Sequence, residues 1–145
     1  MTLPDTNAII REHLANNTAL AALVGDRIYS PRLPENADLP AVGFFTRGGT
    51  SNPYIPDMPT PSVQFDCWAT DVEVAGVVTS GHILARQVYR ALYDALQGIQ
   101  NTTVTISGTD HLILSAIEEV QGQDLVDIEI PKYFRVLTFF AIMIR

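Results

Sequence analysis

The sequence predicts an α+β fold, a mainly antiparallel sheet of about four strands covered on one face by a long helix and preceded by a short N-terminal helical segment. Three observations carry this expectation. Apolar residues recur at spacings of three and four between residues 71 and 97, residues 62–69 alternate polar with apolar, and the chain closes on a β-branched and aromatic run over 133–144. With 145 residues there is material for one domain, 1–145, and a domain of that size buries roughly 68–70% of the surface its unfolded chain exposes.

Behind Asp5 or Thr6, either of which can accept a backbone N–H bond as a helix cap, Ile9, Ile10, His13 and Leu14 lie at helical spacing. Asn17 is placed to end that helix in a left-handed conformation, Thr18 to cap a second turn with Leu20, Leu23 and Val24, and Gly25 to end it. Arg11 is the one basic residue in positions 1–26, so this pair of helical turns is expected to pack and not to read DNA. Over 28–40, Pro31, Pro34 and Pro40 remove backbone donors and predict an irregular extended connection.

Residues 41–46 predict a strand and 62–69 another, with Val63, Phe65 and Cys67 on one face. Between them, 48–61 holds two glycines and Pro53, Pro56, Pro59 and Pro61, predicting a projecting loop that either contacts a partner or is disordered. The long helix is expected over 71–97, with a stripe of Val77, Gly81, Leu84, Ala85, Val88, Leu92, Ala95 and Leu96 and with Gly98 beyond its end. Gly76 and Gly81 each cost ~1 kcal/mol against alanine there, which allows a break near Thr79 with Ser80 capping anew.

Residues 103–106 and 112–117 predict a hairpin about the turn Ser107-Gly108-Thr109-Asp110, followed by a polar break at Gln121-Gly122-Gln123-Asp124. The last strand places Phe134, Val136, Phe140, Ile142 and Ile144 on one face and Leu137, Phe139 and Met143 on the other. One side then requires the helix, and the other a second layer or a neighbouring subunit.

Composition narrows the function. Nine basic against sixteen acidic residues give a net charge of -7, without the cationic footprint of phosphate binding, so specific nucleic-acid binding is not expected. Cys67 is the single cysteine, which excludes an intramolecular disulfide and a multi-cysteine zinc site. The longest strongly apolar run is far short of the ~20 residues of a membrane helix, and no basic-then-apolar leader opens the chain, so a soluble, unsecreted protein without a membrane partner is expected.

Catalytic, cofactor and metal sites are not expected. His13, His82 and His111 share no metal-binding spacing, and Asp124, Asp127 and Glu129 lack the glycine and terminal glutamate of a calcium loop. His111 beside Asp110 could orient a general base, but Ser107 and Ser115 sit in no nucleophile pattern. Cys67 reads as a small buried hydrophobe, while Trp68 on the wetter face fits core packing or a contact surface equally. The candidate interface residues are Pro53, Tyr54, Ile55 and Pro56 in the loop, Trp68, and Leu137, Phe139 and Met143 on the last strand.

Taken in order, Leu20-Ala21-Ala22-Leu23-Val24-Gly25-Asp26-Arg27-Ile28-Tyr29, Leu39-Pro40-Ala41-Val42 and Val63-Gln64-Phe65-Asp66-Cys67-Trp68-Ala69, then the helix from Ala85 to Leu96 and the closing Tyr133-Phe134-Arg135-Val136-Leu137-Thr138-Phe139, resemble the phage tail-completion or tail-terminator family. The resemblance implies a non-enzymatic virion subunit of the tail and neck, assembled in the host cytoplasm. Its implied partners are copies of itself in a hexameric ring, the tail tube protein and a head-completion or connector protein, with DNA only passing through the channel. A head-completion or tube subunit is the alternative in the same assembly. From other classes, the alternatives are a small monomeric binding module and a hydrolase built on His111.

Overall fold

A computed structural model describes residues 3–51, 53–55, 57–126 and 133–145. Helix α1 (Thr6–Ala15) starts where Asp5 accepts the Ala8 amide at 3.2 Å. Asn17 does not end α1 in a left-handed turn. In an extended conformation, at φ -82°, it accepts the Leu20 amide at 2.9 Å and caps α2 (Thr18–Val24), so Thr18 is the first residue of that helix and not its cap. A short amide side chain answers an orphan amide of the first turn better here than a left-handed backbone would answer a carbonyl. Gly25, at φ +61°, ends α2.

One six-stranded sheet holds most of the regular structure. Its strands are β1 (Ile28–Tyr29), β2 (Ala41–Thr50), β3 (Thr60–Thr70), β6 (Gln100–Ile106), β7 (Thr109–Val126) and β8 (Tyr133–Ile144), in the order β1-β2-β3-β8-β7-β6. The β1–β2 pair is parallel and the other pairs are antiparallel. A separate two-stranded ribbon consists of β4 (Val72–Val74) and β5 (Val77–Thr79). The expected sheet of about four antiparallel strands under one long helix is thereby corrected to a mostly β molecule. Its sheet is mixed and curled into a half-barrel, and among the described residues it has three helices, α1, α2 and α3 (Gly81–Leu96).

Local physics accounts for each difference. Ile28 and Tyr29, expected in an irregular connection, align with Val42 and Gly43 and make the sheet mixed. Residues 72–79, expected within the first turns of the long helix, form the ribbon, because Ala75 (φ 52°) and Gly76 (φ 80°) make a left-handed two-residue turn between β-branched pairs. Helix α3 therefore spans Gly81–Leu96. Ser80 stands at its cap position without a side-chain cap bond, and Asp71 accepts the Gly81 amide instead, at 2.7 Å. A Cβ on Gly81 would lie 2.7 Å from both the Phe134 ring and the Thr70 backbone, so glycine is what lets the helix start against the ends of β3 and β8.

The polar break at 121–124 does not end β7. The strand bulges between Glu118 and Gln123 and continues, with Gly122 leaving room for the Tyr89 ring, which an added Cβ would meet at 2.7 Å. Pairing of β2 with β3 runs out to Gly49↔Pro61 and Thr50↔Thr60, so the ends of segment 48–61 are hairpin arms.

All three helices share one core with the sheet. Ile9, Ile10 and Leu14 of α1, Leu20 and Val24 of α2 and Ala85, Val88, Leu92 and Leu96 of α3 are buried with Phe44, Phe65 and Phe140. The three phenylalanine rings step across β2, β3 and β8, with centroids 5.6 and 5.8 Å apart, the second pair edge-on.

Candidate interaction surface

The two central strands have opposite characters on their two sides. Toward the helices point Val63, Phe65 and Cys67 of β3 and Val136, Thr138, Phe140, Ile142 and Ile144 of β8, all buried. The other side, here the outer face, carries Ser62, Gln64, Asp66 and Trp68 of β3 opposite Ala141, Phe139, Leu137 and Arg135 of β8. Period-two alternation makes this division unavoidable once Phe65 is inside.

Polar groups on the outer face form a chain along β3. Arg47 donates to Gln64 Oε1 at 3.1 Å and lies 5.6 Å over the Phe139 ring. Gln64 Nε2 donates to both Asp66 oxygens at 3.3 Å, Arg135 approaches Asp66 at 3.8 Å, and the Arg135 guanidinium stands 5.0 Å over Trp68. Burial raises the Asp66 pKa above the ordinary carboxylate value, against the opposing pull of Arg135 and Gln64. Residues Pro31, Arg32 and Leu33 roof this end of the face, and Gly43 has no side chain where the Leu33 methyl enters.

Beyond that roof the outer face is apolar and open. Leu137, Phe139 and Met143 are half-buried, and the neighbouring strand β7 adds Ile117, opposite Ala141, and Val120, opposite Phe139, both exposed. On the helix side, α3 is tied to β7 and β8 through polar groups. There Tyr89 donates to Glu118 at 2.7 Å, Thr138 donates to the same carboxylate at 2.7 Å, and the Gly122 amide donates to the Tyr89 oxygen at 3.1 Å. Burial, with the bond to Glu118, pushes the Tyr89 hydroxyl up to about 12. A buried threonine amid hydrophobes is satisfied there, a partnership that β-strand patterning alone did not reveal.

Of the candidate interface residues, Trp68, Leu137, Phe139 and Met143 come together on the outer face. Pro53, Tyr54 and Ile55 are in the β2–β3 connection, exposed, with Tyr54 at 91%, and Pro56 lies outside the described residues. Cys67 is fully buried, and burial pushes its thiol up. His13 donates to the Ala95 carbonyl at 2.9 Å, and His82 stacks edge-on toward Phe134. His111 pairs with Val104 across the β6–β7 hairpin, while Asp110 accepts from Thr105 at 2.6 Å. Asp124 pairs with Arg86 at 3.4 Å, whereas Asp127 and Glu129 lie outside the described residues. Among the described residues no group of three or more His, Cys, Asp or Glu side chains could hold a metal ion, and no helix is long and apolar enough to cross a membrane.

Two further surfaces escaped the sequence. The β4–β5 ribbon exposes Val74, Val77 and Val78, and an open cleft of about 750 Å³ lies between α1 and residues 28–34. Val77 reads as helix stripe in one dimension, and the cleft joins segments distant in the chain, so only the fold assembles either surface.

No protein-family model matches the sequence, and no curated protein does. The fold is shared with a chain of the virion of the native gene transfer agent (GTA) particle, at a TM-score of 0.63 over 96% of this chain and 93% of that one, with 17% sequence identity. At that identity the likeness is one of fold.

Proposed function

We propose that this chain is a structural subunit of a phage-like particle, a copy in a ring that ends the tail tube and joins it to the head connector, working through shape and contact and without catalysis. The observation that carries the reading is the shared fold with a virion chain along nearly the whole of both chains. The bipartite sheet supports it. A subunit that folds on one side of β3 and β8 and keeps Leu137, Phe139, Met143 and Ile117 on the other has apolar surface to cover against adjoining tail parts or copies of itself. The net charge of -7 suits a passage through which DNA slides without being gripped.

The test is to measure the purified protein's mass by light scattering, image it by negative-stain electron microscopy, and add it to growing tail tubes. A closed ring, six copies by the family resemblance, that halts tube growth is the expected result. Protein that stays monomeric at all concentrations and leaves tube growth unchanged overturns the proposal. Protein that joins the growing tube, or that binds only the head connector, selects the tube-subunit or head-completion alternative.

A further inference from the structure

The β4–β5 ribbon has three residues in each strand, too little to form a core of its own, yet Val74, Val77 and Val78 are each more than 60% exposed. It is nevertheless held in position. Asp71 at its base accepts the Gly81 amide at 2.7 Å, and Gly81 is wedged against Thr70 and Phe134, so the ribbon is presented from a fixed support. Exposed Glu73 shares one face of the ribbon with its cross-strand partner Val78, while Val74 and Val77 pair on the other face.

The cleft between α1 and residues 28–34 has the complementary character. Arg11 and Arg32 line it on a chain whose net charge is -7, and neither makes an ion pair among the described residues. Arg11 is braced through Nε to the Ile28 carbonyl at 3.1 Å, which leaves its terminal nitrogens for a carboxylate. Asp5, the acid among the lining residues, caps α1 through Ala8. Ser30 Oγ, buried in the wall, has no hydrogen-bond partner among the described residues, and Tyr29, Leu33 and Pro34 add apolar surface.

We infer that the β4–β5 ribbon of one copy seats in the Arg11–Arg32 cleft of the next, with Glu73 meeting the guanidinium groups and Val78, on the same face, meeting the apolar wall. This rests on the reading of the chain as a self-assembling ring subunit. A ribbon set against an identical ribbon would bring Glu73 against Glu73, whereas ribbon against cleft pairs opposite charges. Two different patches are also what a head-to-tail contact needs in order to close a ring.

Single variants Glu73→Cys and Arg32→Cys test it with a short thiol-reactive cross-linker, because Cys67 is buried and gives no background. Mixing the two variants should give cross-linked dimers, neither alone should, and the doubly substituted chain should give a ladder that ends at the ring. Charge reversal supplies the second readout. Glu73→Arg and Arg32→Glu should each lower the assembled fraction ~10-fold or more at fixed concentration, and together should recover it, with circular dichroism confirming that every variant folds. Rings that form without Glu73–Arg32 cross-links, or that cross-link Glu73 to the tube protein, overturn this contact and leave the ring reading standing. A wild-type chain that never assembles, alone or on tubes, overturns both.

Discussion

Strand β8 separates two regions that share a backbone and little else. Its inward residues Val136, Thr138, Phe140, Ile142 and Ile144 are buried against helices, while its outward residues Leu137, Phe139 and Met143 are only half-buried. The inner face has nothing left to gain from a partner, since its apolar area is already out of water. The outer face keeps apolar area in reserve and holds its charges in a ladder that ties Arg47, Gln64, Asp66, Arg135 and Trp68 together. Under the proposed function, one strand serves folding on one side and assembly on the other.

Substitutions on the two faces should separate those roles. Phe65→Ala, in the middle of the phenylalanine row, should cost about 3–5 kcal/mol in urea unfolding and reduce assembly only because less protein is folded. Gly81→Ala should cost about 1–3 kcal/mol, because its methyl group must displace the Thr70 backbone and the Phe134 ring. Phe139→Ala, half-buried on the outer face, should cost the monomer about 1 kcal/mol and yet markedly weaken ring or tube association in light scattering, the reverse of the Phe65 pattern. An equal loss of folding stability at Phe65 and Phe139 would erase the distinction.

The smallest effect concerns pH. Because folding raises the Asp66 pKa, the folded chain binds a proton more readily than the unfolded one, so this group's contribution is present at low pH and is lost as pH rises through the raised value. Asp66→Asn should therefore flatten that part of the stability–pH profile measured by urea unfolding, with little change in the fold. An unchanged slope would mean that Asp66 is not burdened by its burial.

The alternation of Val63, Phe65 and Cys67 and the two-sided apolarity of β8 were legible in the sequence because strand periodicity is local and strict. The apolar stripe of α3 was legible from Gly81 onward for the same reason. The ribbon was not, because Val77 also fits a helical stripe, and only the left-handed Ala75-Gly76 turn and the packing of Gly81 against Thr70 decide between the two periods. Nor was the passage of β7 through Gly122, which depends on a tyrosine ring from a distant helix. Leu137, Phe139 and Met143 could be assigned in advance to the face opposite Phe140, whereas the Arg47–Gln64–Asp66–Arg135 ladder and the Arg11–Arg32 cleft required residues from several strands and loops to meet.

The most direct measurement is oxidative footprinting of Met143 and Phe139 in the isolated subunit and in assembled particles, with Phe65 and Phe140 as internal controls. Strong protection of the outward pair on assembly, with the buried phenylalanines unreactive throughout, is the predicted result. Assembled particles in which Met143 and Phe139 label as readily as in the lone subunit would contradict the account.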